Sequence, residues 1–246
     1  MSKTVTVMTY NVHSAIGMDG TLSPGRIAEV INQCNPDIVA LQELDCGVPR
    51  TEMIDQAHLI ALNLNMSYHF HSSIQVQGGA YGNAILSHYP ARMIKAGPLP
   101  TQIYNESCER RGAIWVAIDL GGSQLQVMAT HFGLNRKERM AQTEELLGPE
   151  WLGHADCHEP VVLCGDFNAL PASRAYRRIT DSLRDVQRCL KGRRPLGTCP
   201  VRFPFMRIDH LFISNGLKVR SFTVPKTPLT RMASDHFPLV VTLELT

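Results

Sequence analysis

The sequence predicts an α/β protein, two stacked β-sheets with helices outside, folded as one domain over residues 1–246. Three observations lead there. Strand-like segments outnumber helical ones by at least two to one. The helical segments fall early and mid-chain between strands, as elements that cover a sheet do. Four apolar strands end in polar clusters, and in a layered sandwich the end of one strand and the start of another share a rim.

Composition agrees and excludes other classes. Hydrophobic residues make up 44% and charged residues 19% of the 246, which is globular rather than disordered. A chain of this length buries roughly 70–75% of its unfolded surface, so its core requires no disulfide or metal. The net charge of +2 excludes a protein that coats polyanions. No apolar run approaches the ~18–20 residues of a membrane span. The seven cysteines are odd in number and form no CxxC pair, as expected for reduced thiols. The N-terminus alternates polar and apolar residues and lacks the roughly 7–15-residue apolar core of a signal peptide. A cytoplasmic location is the expectation.

Val5 and Val7 alternate with Thr4 and Thr6 in a first strand ending at Tyr10-Asn11. Ser23 and Pro24 open a helix as N-cap and first residue, with Ile27, Val30, Ile31 and Cys34 on one face, and Asn35-Pro36 stops it. Residues 38–41 are a short buried strand ending at Gln42-Glu43. Met53, Ala57, Ile60, Ala61 and Leu64 repeat at helical spacing. Strands follow near 68–74, 82–87, 112–120 and 124–131, the last two joined by Gly121-Gly122. Residues 136–147 are helix-prone, and 160–165 form a buried strand that delivers Asp166-Phe167-Asn168. Helix is expected in part of 173–188 and a loop over 189–206, with closing strands at 207–213, 217–224 and 237–245.

The polar residues carry the functional signal. Asn11, Glu43, His131 and Asp166 with Asn168 stand at strand ends, while Asp209-His210 and Ser234-Asp235-His236 stand where later strands begin. Singly each reads as a turn or surface residue; together they define one site on loops held by a rigid scaffold. The chemistry they suit is metal-assisted attack of water on phosphorus. Mg²⁺ keeps octahedral oxygen coordination and needs only one or two carboxylates besides the substrate phosphate. Glu43 and Asp166 can supply these, with Asn11 and Asn168 as neutral partners. Histidines and arginines stabilise charge on the phosphoryl oxygens, and Asp209 or Asp235 can orient His236.

The segments Thr9–His13, Leu41–Glu43, Gly82–Ser87, Thr130-His131, Gly165–Asn168, Ile208–His210 and Ser234–His236, in this order, resemble the endonuclease/exonuclease/phosphatase superfamily, the pancreatic-deoxyribonuclease-like fold. The resemblance spans essentially the whole chain. It implies a four-layer α/β/β/α sandwich of two mixed sheets with the site at one end. It also implies Glu43 as principal Mg²⁺ ligand (Mn²⁺ as substitute), Asp235 as a second acidic metal residue, and Asn11 as an amide close to metal and phosphate. Asp166 and Asn168 resemble the pair that orients or deprotonates the attacking water, His236 with Asp209 the essential histidine and its partner, and His131 a second phosphate-side histidine. Where relatives orient that histidine with a glutamate, the nearest matching position is Asn83, and an amide does not stabilise an imidazolium as a carboxylate does. Arg110, Arg111 and Asn83 are candidate phosphate contacts.

Other signals weigh less. His69-Phe70-His71 lacks the continuation of a metal motif, and His154, Cys157 and His158 lack a fourth zinc ligand. Between Arg174 and Arg194 eight basic and two acidic residues give +6, leaving −4 for the rest. That segment reads either as a solvated face or as a patch for an anionic substrate or membrane surface. The expected activity is Mg²⁺-dependent hydrolysis of a small or lipid phosphodiester, with a DNA or RNA nuclease as the alternative and no protein partner indicated. Family nucleases usually grip duplexes with long basic loops, and this chain is compact and nearly neutral.

Overall fold

The computed structural model describes residues 3–101 and 109–246, so Cys108 lies outside the described residues. Twelve strands form two six-stranded sheets. In the first, the order is β11 (Leu217–Thr223), β12 (Leu239–Leu245), β1 (Thr4–Asn11), β2 (Ile38–Cys46), β4 (Gly79–Ser87), β3 (Ser67–Val76). In the second it is β5 (Ala91–Pro98), β6 (Gly112–Asp119), β7 (Gln124–His131), β8 (Val161–Asp166), β10 (Asp209–Ile213), β9 (Arg184–Asp185). Each sheet holds one parallel pair, β1–β2 or β7–β8, flanked by antiparallel neighbours. A parallel pair needs a crossover, and the two crossovers carry α1 (Pro24–Cys34) and α3 (Arg136–Leu147).

Period-two alternation sorts the strand residues into three apolar layers. Val5, Val7, Val127, Val162 and Leu211 fill the space between the sheets. Met8, Tyr10, Val39 and Leu41 face outward beneath α1 and α2 (Gln56–Leu64). Trp115, Met128, Leu163 and Phe212 face outward on the second sheet, beneath α3 and α4 (Arg174–Thr180). Each such side chain contributes about 1.5–3 kcal/mol when fully buried. The result is the expected four-layer α/β/β/α sandwich. Among the described residues no helix is long and apolar enough to cross a membrane.

Local sequence sets the helix ends. The Ser23 hydroxyl accepts from Arg26 N, Pro24 takes the first helical position, and Asn35 closes α1 in the left-handed region at φ +47°. The helix expected from Met53 starts at Gln56 instead, because Asp55 caps it by accepting from His58 N. The helix in 173–188 stops at Thr180, and the buried Asp185 carboxylate, accepting from Tyr176 Oη at 2.6 Å, holds the chain extended there. Three elements had no expected counterpart: the half-exposed edge strand β5, without clean alternation, the two-residue edge strand β9, and the six-residue α5 (Pro228–Ala233), whose N-terminus carries a capping box at Thr227.

The dense basic segment is divided by this topology. Arg184 donates to the Ser214 and Leu217 carbonyls and Arg193 to that of Phe222, Arg178 pairs with Glu144, and Arg188 lies over the Tyr176 ring. It is not a single cationic patch: four of its eight basic side chains are directed to carbonyls, a carboxylate and a ring.

Gly165 sits in β8 at φ +145°, where a Cβ would meet the Thr130 carbonyl oxygen at 1.9 Å. Gly25 lies inside α1 with nothing within 4 Å of a Cβ. Gly25→Ala should therefore stabilise the protein by about 0.5–1 kcal/mol in urea unfolding. Gly165→Ala should cost at least about 2 kcal/mol, and a Gly165→Ala protein as stable as wild type would contradict the close approach of β7 and β8.

Candidate active site

The site is where the layer between the sheets turns polar. Along β1 the inward series runs Val5, Val7, Thr9, Asn11; along β7, Leu125, Val127, Ala129, His131; along β8, Val162, Cys164, Asp166. β10 runs the other way and so begins at this rim, with Asp209 before the inward Leu211 and Ile213. Glu43 joins by a different device. Gln42 already occupies the inward position, but a bulge against β4 between Leu41 and Leu44, with Glu43 at φ +61°, turns the carboxylate toward Asn11. His236 arrives on the loop after α5. The Ser234 hydroxyl donates to the Asn11 carbonyl at 2.8 Å and accepts from His236 N at 3.2 Å, fastening that loop to the end of β1.

Asp166, 1% exposed, lies at the centre. Its Oδ2 accepts from Asn11 Nδ2 at 3.1 Å, and the same amide donates to Glu43 Oε1 at 2.8 Å. Its Oδ1 accepts from Asn168 N at 2.9 Å. The Nε2 atoms of His131 and His236 stand 3.6 and 3.8 Å from Oδ2. Burial and the nearby Asp209 push the Asp166 carboxyl up to about 7, against the pull of His236 and the two hydrogen bonds. His236 Nδ1 donates to Asp209 Oδ2 at 2.9 Å, and the Thr198 hydroxyl donates to the same oxygen at 2.5 Å. Burial disfavours charge on His236, but the Asp209 carboxylate outweighs it and holds the imidazole well above its ordinary range.

His131 is set the opposite way. Arg111 Nη1 lies 2.9 Å from His131 Nδ1. A guanidinium only donates, so Nδ1 accepts and the neutral ring carries its proton on Nε2, facing Asp166 and Glu43. Burial, then Arg111 and His236, hold His131 well below the ordinary histidine range. The Asn168 amide donates to the Phe132 carbonyl at 2.9 Å and stands 3.1 Å from His131 Nε2. His131 is thus a neutral donor rather than an imidazolium.

Asn11, Glu43, His131, Asp166, Asn168, Asp209 and His236 are brought together as expected. Four candidates fall elsewhere or serve differently. Asp235 is half-buried; its carboxylate lies 3.4 Å from the Ser234 hydroxyl and acts electrostatically on the buried Tyr10 hydroxyl. Asn83 donates to the Gly112 carbonyl at 3.1 Å and does not orient His131. Arg110 is exposed, in a groove with residues 72–75 that adjoins the Glu43 cleft at Ile74. Arg111 is buried and directs Nη1 and Nη2 to His131 and Glu109, while its buried Nε finds no partner among the described residues. Sequence reasoning missed Thr198, hidden in a proline- and glycine-punctuated loop, and the pairing of Arg111 with His131.

Two ligand sets are available to a cation. Asp166, Asp209 and His236 place one atom each within 4.8 Å of one another. Asp209 Oδ2 is already committed to His236 and Thr198, however, and the imidazole nitrogen suits a hard cation poorly. Glu43, Asn11 and Asp166 offer oxygens, and Glu43 stands open to a cleft of about 270 Å³ that reaches Tyr81, Arg50 and Glu109. Three carboxylates faced by one imidazolium leave an excess of negative charge that a divalent cation fits.

Residues 8–236 match the model of the Endonuclease/Exonuclease/phosphatase family. The chain is 26% identical to YbhP of Escherichia coli (strain K12), over 97% of this chain and 96% of that protein. Its fold is similar to that of an endonuclease/exonuclease/phosphatase from Beutenbergia cavernae DSM 12333, with TM-score 0.78, 24% identity and coverage of 99% of this chain and 72% of that one. It is also similar to the mannosyl-6-phosphatase of Bacteroides thetaiotaomicron VPI-5482, with TM-score 0.73, 21% identity and coverage of 97% and 99%.

Replacing Arg111 with Met removes the donor at Nδ1 and one cation, so the His131 titration should move upward in ¹⁵N imidazole NMR. An unchanged midpoint would separate the two residues. Asp166 gives a stability test in EDTA. Its carboxyl is raised from 3.8 to about 7, so the folded protein keeps a proton that the unfolded chain releases. Its ionisation costs stability that is lost as pH rises from about 4 through about 7. Asp166→Asn should therefore gain on wild type in urea unfolding across that window, whereas a pH-independent difference would place Asp166 near its ordinary value.

Proposed function

Because this chain belongs to the Endonuclease/Exonuclease/phosphatase family, whose members hydrolyse phosphoesters and typically depend on divalent metal, we propose that it is a Mg²⁺-dependent phosphodiesterase acting on a small or lipid phosphodiester. The observation that carries this reading is the convergence on Asp166 of Asn11, Asn168 and the two differently charged histidines. Glu43 and Asp166, with Asn11 between them, would hold the cation, which when bound supplies Lewis-acid stabilisation of the phosphoryl oxygens.

The remaining work falls to the chain's own groups. Asp166, fixed through Oδ1 by Asn168 N, accepts a proton from the attacking water as the new P–O bond forms; the ester P–O bond breaks, and the leaving oxygen departs with the bonding pair and takes its proton from solvent. His236, kept protonated by Asp209, donates through Nε2 to a phosphoryl oxygen. His131 donates its single Nε2 proton to the same group, its ring fixed by Arg111. A diester is favoured over a monoester on charge: three carboxylates line the site, and a monoester adds a second negative charge to a region with little cationic surplus.

A bis-aryl phosphodiester, the matching aryl monoester and plasmid DNA, each with Mg²⁺, separate the readings. Diester hydrolysis should lead. Glu43→Gln should cut kcat by about 10²–10³-fold and lose the rise in Tm that Mg²⁺ gives to wild type. Asp209→Asn and His236→Ala should each cost ~10²–10⁴-fold in kcat, and the double variant little more than the worse single. Efficient plasmid cleavage at physiological salt would promote the nuclease; fully additive losses would break the Asp209–His236 pair.

A further inference from the structure

Nine large apolar side chains are exposed among the described residues; five of them sit on loops flanking the site and a sixth, Met232, on the short helix α5 beside it. Leu134 follows His131 by three positions and Leu170 follows Asn168 by two. Phe203 and Phe205, 75% and 68% exposed, crown a hairpin whose base holds Thr198 against Asp209. Met232 precedes His236 by four positions, and its carbonyl accepts from Met18 N at 2.8 Å, so these two exposed methionines are neighbours. Exposed apolar groups gathered at one rim mark an interaction surface, unlike the same groups scattered singly.

Apart from the Met18 turn, which carries Asp19 paired with Arg26, the same rim segments are basic. Segments 132–137, 169–174, 199–207 and 226–233 contain no Asp or Glu; they carry the exposed Arg136, Lys137, Arg174 and Arg202, and also Lys226 and Arg231, which lie over the Phe237 ring. Arg136, Lys137, Arg139 and Arg174 line a groove of about 570 Å³ between the starts of α3 and α4, which follow His131 and Asn168; the one carboxylate lining it, Glu144, is paired with Arg178. It is wide enough for a phosphate-bearing headgroup.

We propose that this rim docks on an anionic lipid bilayer and brings a headgroup phosphodiester to the site while the lipid stays in the membrane. The substrate class rests on the phosphodiesterase reading; the docking does not. Single-stranded nucleic acid would use the cations and the two phenylalanines, because bases stack on aromatic faces. Leu134, Leu170, Met18 and Met232 offer no such face. A bilayer interface takes both sets, apolar tips into the acyl boundary and cations against the headgroups.

The full chain in EDTA, floated with vesicles of phosphatidylglycerol and phosphatidylcholine or of phosphatidylcholine alone, tests this without turnover. Wild type should bind the anionic vesicles and bind the neutral ones far more weakly. Phe203→Ser/Phe205→Ser should weaken binding by about tenfold or more at low and high salt alike. Arg136→Gln/Lys137→Gln/Arg174→Gln should lose roughly fivefold per cation at low salt, and less as salt rises. Both variants should melt like wild type and hydrolyse the soluble aryl diester within about twofold of it. Absent vesicle binding, or binding that the phenylalanine variant leaves unchanged, would overturn the docking surface. So would oligonucleotide binding in its place that is lost in the same variant. Vesicle binding by a wild type that hydrolyses no soluble diester would support the docking surface and sink the hydrolase reading.

Discussion

The buried carboxylate of Asp166 is the constraint around which the rest is arranged. A carboxylate taken out of water is costly unless hydrogen-bonded and opposed by positive charge. Three neighbours of Asp166 answer that requirement, against burial and the nearby Asp209: the Asn11 amide from one sheet, the Asn168 backbone beyond the end of its own strand, and the His236 imidazolium from the loop before β12. The contact with Asn11 ties the two sheets together at the rim, where the apolar layer between them has ended. Gly165 belongs to the same constraint, since the backbone next to Asp166 passes so close to Thr130 that no side chain fits.

Two histidines at similar distances from that carboxylate are driven to opposite states. His236 has an acceptor, Asp209, behind it; His131 has a donor, Arg111. What stands behind a ring nitrogen decides whether the face toward substrate is a cation or a neutral donor. A single carboxylate-rich pocket thereby presents one positive and one uncharged hydrogen-bond donor without further groups.

Much of this was legible because strand alternation extends to the rim. Asn11, His131 and Asp166 keep the parity of the valines before them, so the sequence pattern alone orients them inward. Glu43 breaks that parity; its place is readable from family resemblance but not from alternation, because a bulge supplies it. Thr198 and the Arg111–His131 contact leave no periodic trace: both come from loops or strand starts that only the folded topology brings near. The basic segment after Arg174 misleads for a related reason. Charge density along a chain says nothing of direction, and Arg184 and Arg193 end on backbone carbonyls while the exposed cations of the rim come from four separate loops.

The first strand of the chain lies inside its sheet, between β2 and β12, and pairs with β12 residue for residue from Thr4↔Glu244 to Thr9↔Leu239. Contacts so distant in sequence close late in folding, after their loop entropy has been met. During synthesis β1 therefore waits with a bare hydrogen-bonding edge until more than two hundred further residues have been added. Over that interval Asp209 lacks His236, and the Ser234 anchor on Asn11 does not yet exist. The site and the sheet are completed by the same last stretch of polypeptide. The segment that covers the open edge of β1, a template for unwanted pairing while bare, is thus the one that also brings His236 to Asp209.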